Sequence, residues 1–282
     1  MKAKKLYEKL DRDFITSEMS DEWTVYMDDV IEYIYDHFKA HDMGLACDFA
    51  EEITRVYTAV FPSQKVMQKI LDDGVTDAML FMHHPSIWDI RVPGAFYQMD
   101  SNLLEQFKKR RISIYILHVP LDAYGEYSTS VTLAKAIGLE IEKPCVSYHG
   151  VLAGVIGTTD TKTVKELKEK YTKALGHDVK LYQYGVAEIK DHRVLVVAGG
   201  GNDVRVVQEA MKEKINTIIT GVTAKNEFSV AVHKLEEEKA INLLGGTHYS
   251  TEKFACQEMC RYFKNRGLNA QFISDEPVFE DM

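Results

Sequence analysis

Four histidines stand where strands are predicted to end. His83 and His84 follow the apolar run 77–82, His118 follows 112–117, and His248 follows 240–244. Carboxylates lie close to them in sequence at Asp89, Asp122 and Glu252. Imidazole and carboxylate together suit Zn, Mn, Fe, Co or Ni. Open α/β sheets bind ligands outside the carboxyl ends of their strands, which is where these residues fall. Adjacent histidines inside a regular strand would point to opposite faces. Just past a strand end, before Pro85, His83 and His84 could instead reach two neighbouring ions. His248 and Glu252 are four apart, so at a helix start they share one face. His118 and Asp122 have the same spacing, but Pro120 between them argues for a loop. Each histidine alone reads as a hydrogen-bonded structural residue. Three separate strand ends carrying the same residue type favour a metal site.

The other motifs are weaker. Gly199-Gly200-Gly201 precedes Asn202-Asp203 without the Lys-Ser/Thr ending of a phosphate loop or the third glycine of a dinucleotide fingerprint. It reads as a tight turn with Asn202 or Asp203 capping the next helix. No GxSxG elbow supports serine hydrolysis. Cys47, Cys145, Cys256 and Cys260 form no CxxC. Cys256 and Cys260, one helical turn apart, could hold a metal or oxidise. As small apolar fillers in a reduced cytoplasm they need no special role.

The elements that must position these residues alternate. Strands are expected at 53–61, 77–82, 112–117, 194–198, 216–220, 240–244 and 270–273. Helices are expected at 63–71, 103–111, 131–137, 227–238 and 252–266, several of them closed by glycine. This β-α-β order favours parallel sheets with helices on their faces. Between 139 and 190 the pattern is less regular, with strands at 151–157 and 181–184 around a helix at 163–175. Ahead of the first strand, Trp23, Met27, Val30, Ile31, Ile34, Tyr35 and Phe38 recur at three and four. They predict one amphipathic helix capped by Ser20-Asp21-Glu22. A domain boundary is expected near 140, where Glu140-Ile141-Glu142-Lys143-Pro144 interrupts the alternation. It gives an N-terminal α/β domain over 1–140 and a second over 141–282.

The chain has 282 residues, 45% hydrophobic and 27% charged, with a net charge of −9 and a pI near 5.6. That is the balance of a globular protein with a sizeable core. The acidity argues against nucleic acid as a partner, since phosphate neutralisation needs a basic face. An anionic small-molecule substrate would need local positive charge from a metal or from helix N-termini. No apolar run approaches the roughly 20 residues of a membrane helix. The charged N-terminus has no apolar stretch behind it, so no signal peptide and no membrane association are expected, and the location expected is cytoplasmic.

His83-His84-Pro85, His118-x-x-x-Asp122 and Gly246-Thr247-His248-Tyr249-Ser250-Thr251-Glu252, in this order, resemble the NIF-three-like (NGG-one-interacting factor three-like) family. Its members are also labelled GTP cyclohydrolase I type 2 homologues. The resemblance spans roughly residues 40–280 and includes Asp42-Met43-Gly44-Leu45. It implies two intertwined three-layer α/β/α domains with a dinuclear metal site in the cleft between them. It also implies a homo-oligomer, commonly a hexamer. By matched position, His83, His84, Asp122, His248 and Glu252 would be ligands of two divalent ions, with Glu252 bridging. His118 would be a further ligand, a residue behind the ligands, or a proton shuttle.

The activity so implied is metal-dependent hydrolysis of a nucleotide-like or other anionic small molecule. Two ions about 3.5–4 Å apart would activate a water and clamp an oxyanion. Arg91 and Lys253 are candidate phosphate contacts. The alternative is a non-catalytic metal carrier, insertion factor or regulatory interaction protein. The sequence departs from the family in three places. Val119-Pro120 replaces Thr-Asn, Val222 replaces the Asp of Thr-Gly-Asp, and Ala40-His41-Asp42 replaces Trp-Asp-Asn.

Overall fold

The structure is a computed structural model that describes residues 1–89 and 95–282. Arg91 lies outside the described residues. The strands, in chain order, are β1 (Gly44–Cys47), β2 (Arg55–Ala59), β3 (Ala78–Met82), β4 (Ile87–Trp88), β5 (Phe96–Tyr97), β6 (Ile112–Ile116) and β7 (Glu140–Tyr148). They continue with β8 (Val151–Thr158), β9 (Lys180–Tyr182), β10 (Arg193–Val197), β11 (Thr217–Thr220), β12 (Asn242–Gly245) and β13 (Asn269–Phe272). The helices are α1 (Ala3–Phe14), α2 (Asp36–His41), α3 (Gln64–Asp72), α4 (Ser101–Lys109) and α5 (Val119–Asp122). After them come α6 (Thr129–Ile137), α7 (Val164–Leu175), α8 (Val204–Lys212), α9 (Val230–Glu238) and α10 (His248–Lys264).

Two compact units divide these elements. The first holds Met1–Leu121, His149–Val151 and Cys256–Asp275; the second holds Asp122–Tyr148, Leu152–Ala255 and Glu276–Met282. In the first, the strand order is β1-β6-β3-β2-β13, with β1 antiparallel at one edge and the other four parallel. Strands β3 and β6 are buried along their whole length, as expected where helices cover both faces. One face packs Leu80, Met82, Ile112, Ile114 and Ile116 against Val66, Ile70, Leu104 and Phe107 of α3 and α4. On the other, Phe81 meets Phe263 of α10, and Tyr115 stacks on Tyr7 of α1.

The second unit has the order β7-β8-β10-β11-β12-β9, with β10, β11 and β12 parallel. Side chains alternate between two cores. Val194, Val196, Ile219 and Leu244 face α6, α7 and Phe254 of α10, while Leu195, Val197, Ile218 and Leu243 face α8 and α9. Both crossovers β10-α8-β11-α9-β12 therefore cover one face, and the chain leaves β12 for the other. Each unit is a three-layer α/β/α arrangement, as the sequence led us to expect.

Three local expectations fail. The helix predicted through residues 23–38 is absent. Two tight three-residue-per-turn pieces, Thr24–Tyr26 and Asp28–Tyr33, lead into the short α2. The backbone N–H groups of Trp23 and Thr24 donate to Asp42 Oδ1 at 3.1 and 2.5 Å. Tyr35 is extended and donates to the carbonyl of Ala46 at 2.8 Å. These long-range bonds break the helical run, yet Trp23, Met27, Val30, Ile34 and Phe38 still reach the core. Residues 119–122, expected as loop, form one helical turn with Pro120 in a first-turn position that lacks no partner. Residues 140–148, expected as an interruption, are strand β7; Pro144 is tolerated because β7 is an edge.

Candidate metal centre

In the first unit, β3 and β6 are parallel neighbours with Met82 opposite Ile116. Their carboxyl ends are level, so His83, His84 and His118 emerge side by side. The backbone keeps strand-like bonds past the end: Leu117 N–H donates to the Met82 carbonyl at 3.0 Å, and His84 N–H to that of Val60 at 2.9 Å. The rings gather closely, with centroids 4.3 Å apart for His83–His84, 4.8 Å for His84–His118 and 5.2 Å for His83–His118. One nitrogen from each lies within 4.8 Å of the others, and all three residues are buried.

Their tautomers follow from what the ring nitrogens touch. His83 Nδ1 is 2.9 Å from the Leu117 carbonyl, which can only accept, so Nδ1 carries the proton and Nε2 the lone pair. His118 Nδ1 is 2.8 Å from Asp21 Oδ2, with the indole nitrogen of Trp23 3.1 Å away. Burial pushes the Asp21 carboxyl up, but the neighbouring His118 and hydrogen bonds from the ring and from two backbone N–H groups outweigh it and hold the group below the usual carboxylate range. His84 stacks on Phe61, with ring centroids 4.7 Å apart. Buried imidazoles, two of them with a partnered Nδ1, are a group that could hold a borderline-soft divalent ion.

In the second unit, α10 starts at His248, so His248 and Glu252 share a face one turn apart, as expected. His248 Nε2 lies 3.1 Å from Glu252 Oε1, and Glu252 is buried. The loop after β10 brings Gly199 against both. A Cβ there would sit 2.1 Å from Glu252 Oε1 and 3.0 Å from His248 Nε2, and the backbone is left-handed at φ +68°. Only glycine leaves that space for the two donors. Asp122, half-buried at the end of α5, has its Oδ1 held by the Thr129 hydroxyl at 2.6 Å. The start of α10 is secured by Asp281, whose Oδ2 accepts the His248 N–H at 2.8 Å. The carbonyl of Asp281 accepts from Thr223 and Ala224 at 2.7 and 2.9 Å.

Asp21 and Asp281 are residues that sequence reasoning missed. Ser20-Asp21-Glu22 was expected as a helix cap, and no signal linked residue 21 to residue 118 or residue 281 to residue 248. Lys253, a candidate phosphate contact, donates instead to the Leu175 carbonyl at 2.7 Å, and burial lowers its pKa. The turn after the glycines is capped by Asp203, which accepts from Arg205 N–H at 2.7 Å. Cys256 and Cys260 are buried thiols touching the Ala59 carbonyl and the Thr58 hydroxyl, each at 3.2 Å. Among the described residues, no helix is long and apolar enough to cross a membrane.

Comparison with known proteins shows the family and the fold. The sequence profile of the Duf34/NIF3 (NGG1p interacting factor 3) family matches residues 21–277. A Pyrococcus horikoshii protein named GTP cyclohydrolase 1 type 2 homolog is 31% identical over 241 residues, covering 83% of this chain and 89% of that one. Two solved structures share the fold. Protein ybgI, described as of unknown function, has a TM-score of 0.76 at 20% identity, over 99% of this chain and 100% of that one. Reduced HcgD from Methanocaldococcus jannaschii has a TM-score of 0.69 at 21% identity, over 98% of each chain.

Proposed function

Because this chain belongs to the Duf34/NIF3 (NGG1p interacting factor 3) family, we propose that it binds two divalent metal ions and hydrolyses an anionic small molecule of the nucleotide type. The observation that carries this is the buried trio of His83, His84 and His118, whose ligand atoms lie within 4.8 Å of one another. By matched position, His83, His84, Asp122, His248 and Glu252 would hold the ions, with His118 as a further ligand or a proton carrier. Which of Zn, Mn, Fe, Co or Ni is held is left to measurement.

Bound ions of this kind supply Lewis acidity and lower the pKa of a coordinated water. The chain's own groups do the rest. With neutral imidazoles and two carboxylates as ligands, a pair of divalent ions would keep a net positive charge, which would favour an anionic substrate on an acidic protein. His118 accepts and returns a proton at Nε2 while Nδ1 stays bonded to Asp21. Gly199, lacking a Cβ, leaves room for the carboxylate of Glu252 at the end of β10. The relatives' name, GTP cyclohydrolase 1 type 2 homolog, supports a purine nucleotide opened by hydrolysis as the first substrate to try. A phosphodiester or another cyclic amide suits the same groups. The same reading includes a cytoplasmic homo-oligomer, with a hexamer as the expected size.

A second reading, a metal carrier or insertion factor without turnover, is favoured by buried apolar Val119 and Val222 at positions polar in the family. One experiment separates the two. Protein purified without an affinity tag or added metal is analysed by elemental mass spectrometry, then assayed with GTP and phosphodiesters. About two equivalents of metal with turnover, both lost in Glu252→Ala, support the hydrolase. Exchangeable metal without turnover supports the carrier. Full activity in Glu252→Ala would sink the hydrolase, and no uptake of any of the five metals would sink both.

A further inference from the structure

We propose that Asp21 is a positioning residue for His118: against the competing indole of Trp23, its carboxylate selects the Nδ1–H tautomer and leaves Nε2 as the lone-pair nitrogen. This rests on reading His118 as part of the metal centre. Two groups meet at one ring nitrogen, with Asp21 Oδ2 at 2.8 Å and Trp23 Nε1 at 3.1 Å from His118 Nδ1. A carboxylate can only accept a hydrogen bond, so it favours a proton on Nδ1. An indole N–H can only donate, so it favours a lone pair there and pushes the proton to Nε2. The two demands are incompatible, and the ring must answer one of them.

The carboxylate has the advantage on three counts. Its contact is the shorter. A hydrogen bond to an ionised acceptor is roughly twice as strong as one between neutral groups. Finally, the pair is shielded from water, with only 10% of the His118 side chain and 6% of the Asp21 side chain exposed. The carboxylate itself is held in place by the Glu22 N–H at 3.0 Å and the Val119 N–H at 3.4 Å. The second of these pins the backbone immediately after the ring it orients. His83 reaches the same tautomer by a different route, through the Leu117 carbonyl. Asp21 thus serves His118 whether Nε2 holds a metal ion or moves a proton.

The tautomer can be read without any activity. In metal-free, uniformly 15N-labelled protein at pH 8, two-bond nitrogen–proton correlations distinguish Nδ1–H from Nε2–H, with the His118 signals assigned from their loss in His118→Gln. The wild type and Trp23→Phe are expected to show Nδ1–H. Asp21→Ala is expected to show Nε2–H, because Trp23 is then unopposed, and the Asp21→Ala/Trp23→Phe double variant is expected to recover part of the Nδ1–H signal. Zinc affinity should fall about 10–100-fold in Asp21→Ala. If Asp21→Ala does not fold, Asp21→Leu gives the same readout with the acceptor removed and the space filled. A wild type in the Nε2–H form, or a folded acceptor-free variant still in the Nδ1–H form, overturns the proposal. A tautomer switch in a protein whose wild type takes up no metal would keep this inference and overturn the metal reading instead.

Discussion

Each unit buries a carboxylate against a histidine, and the two pairs behave in opposite ways. In the first, Asp21 Oδ2 lies 2.8 Å from His118 Nδ1, and the carboxyl is held below its usual range. In the second, Glu236 Oε2 lies 3.4 Å from His233 Nδ1, and burial pushes the carboxyl up to about 8. Burial acts in the same direction on both, so it does not explain the difference; at Asp21 the neighbouring His118 and the hydrogen bonds to the carboxylate outweigh it, and at Glu236 nothing does. Asp21 accepts from the ring of His118 and from two backbone N–H groups. His233 gives its Nε2 proton to the Thr223 carbonyl at 2.9 Å, and its Nδ1 accepts from the Tyr184 hydroxyl at 2.9 Å. It has no proton left for Glu236, whose Oε2 has no hydrogen-bond partner among the described residues. Proximity to a histidine holds a buried carboxylate low only when the ring aims a proton at it.

The largest expected effect comes from Glu236→Gln. Lys225 is the charged group set against Glu236 from outside α9, and it does not offset the burial. An unfolded glutamate ionises near 4.3, well below the folded group. Stability is therefore full below about pH 4.5 and falls as pH rises towards 8, by at most about 1.4 kcal/mol per pH unit. His233, lowered by burial, contributes the opposite slope as it takes up its proton below about 6.5. That contribution is shared by the variant and drops out of the difference. Urea denaturation at pH 5 and pH 8 should show the variant gaining on the wild type by up to about 4 kcal/mol over this interval. Parallel pH profiles would mean that Glu236 is ionised in the folded state and that the two pairs are alike after all.

The same contrast explains what the sequence made legible. His83, His84, His118 and His248 could be placed because strand ends are local features and parallel sheets align them. His248 and Glu252 could be paired because helical spacing is local. The parallel cores were readable from continuous apolar runs, and Asp203 from its place before a helix. The groups that fix the site were not readable. Asp21 reaches His118 across 97 residues, and Asp281 reaches the His248 N–H across 33. Their partners are set by chain paths that no periodicity encodes. The helix predicted over 23–38 failed for the same reason, since the bonds that break it come from Asp42 and Ala46. His233 and Glu236, three apart on α9, are buried, and no motif in the sequence singled them out.

Asp281 sharpens the comparison, because it stands between the other two. Burial raises its pKa, yet Oδ2 accepts one hydrogen bond, from the N–H that opens α10. If acceptance of that bond is what matters, charge is dispensable. Asp281→Asn keeps an acceptor at the helix start and removes the burial penalty on the ionised form. Its stability at pH 7 should equal or slightly exceed the wild type. Asp281→Ala leaves the His248 N–H without its acceptor and should cost about 1 kcal/mol, the usual loss for a removed cap. The bonds from Thr223 and Ala224 go to the Asp281 carbonyl and survive both changes. Urea denaturation at one pH decides it. An asparagine variant as damaged as the alanine variant would show that the negative charge, facing the positive end of α10, holds the start of that helix. Asp281 would then belong with Asp21, as a carboxylate that works through its charge.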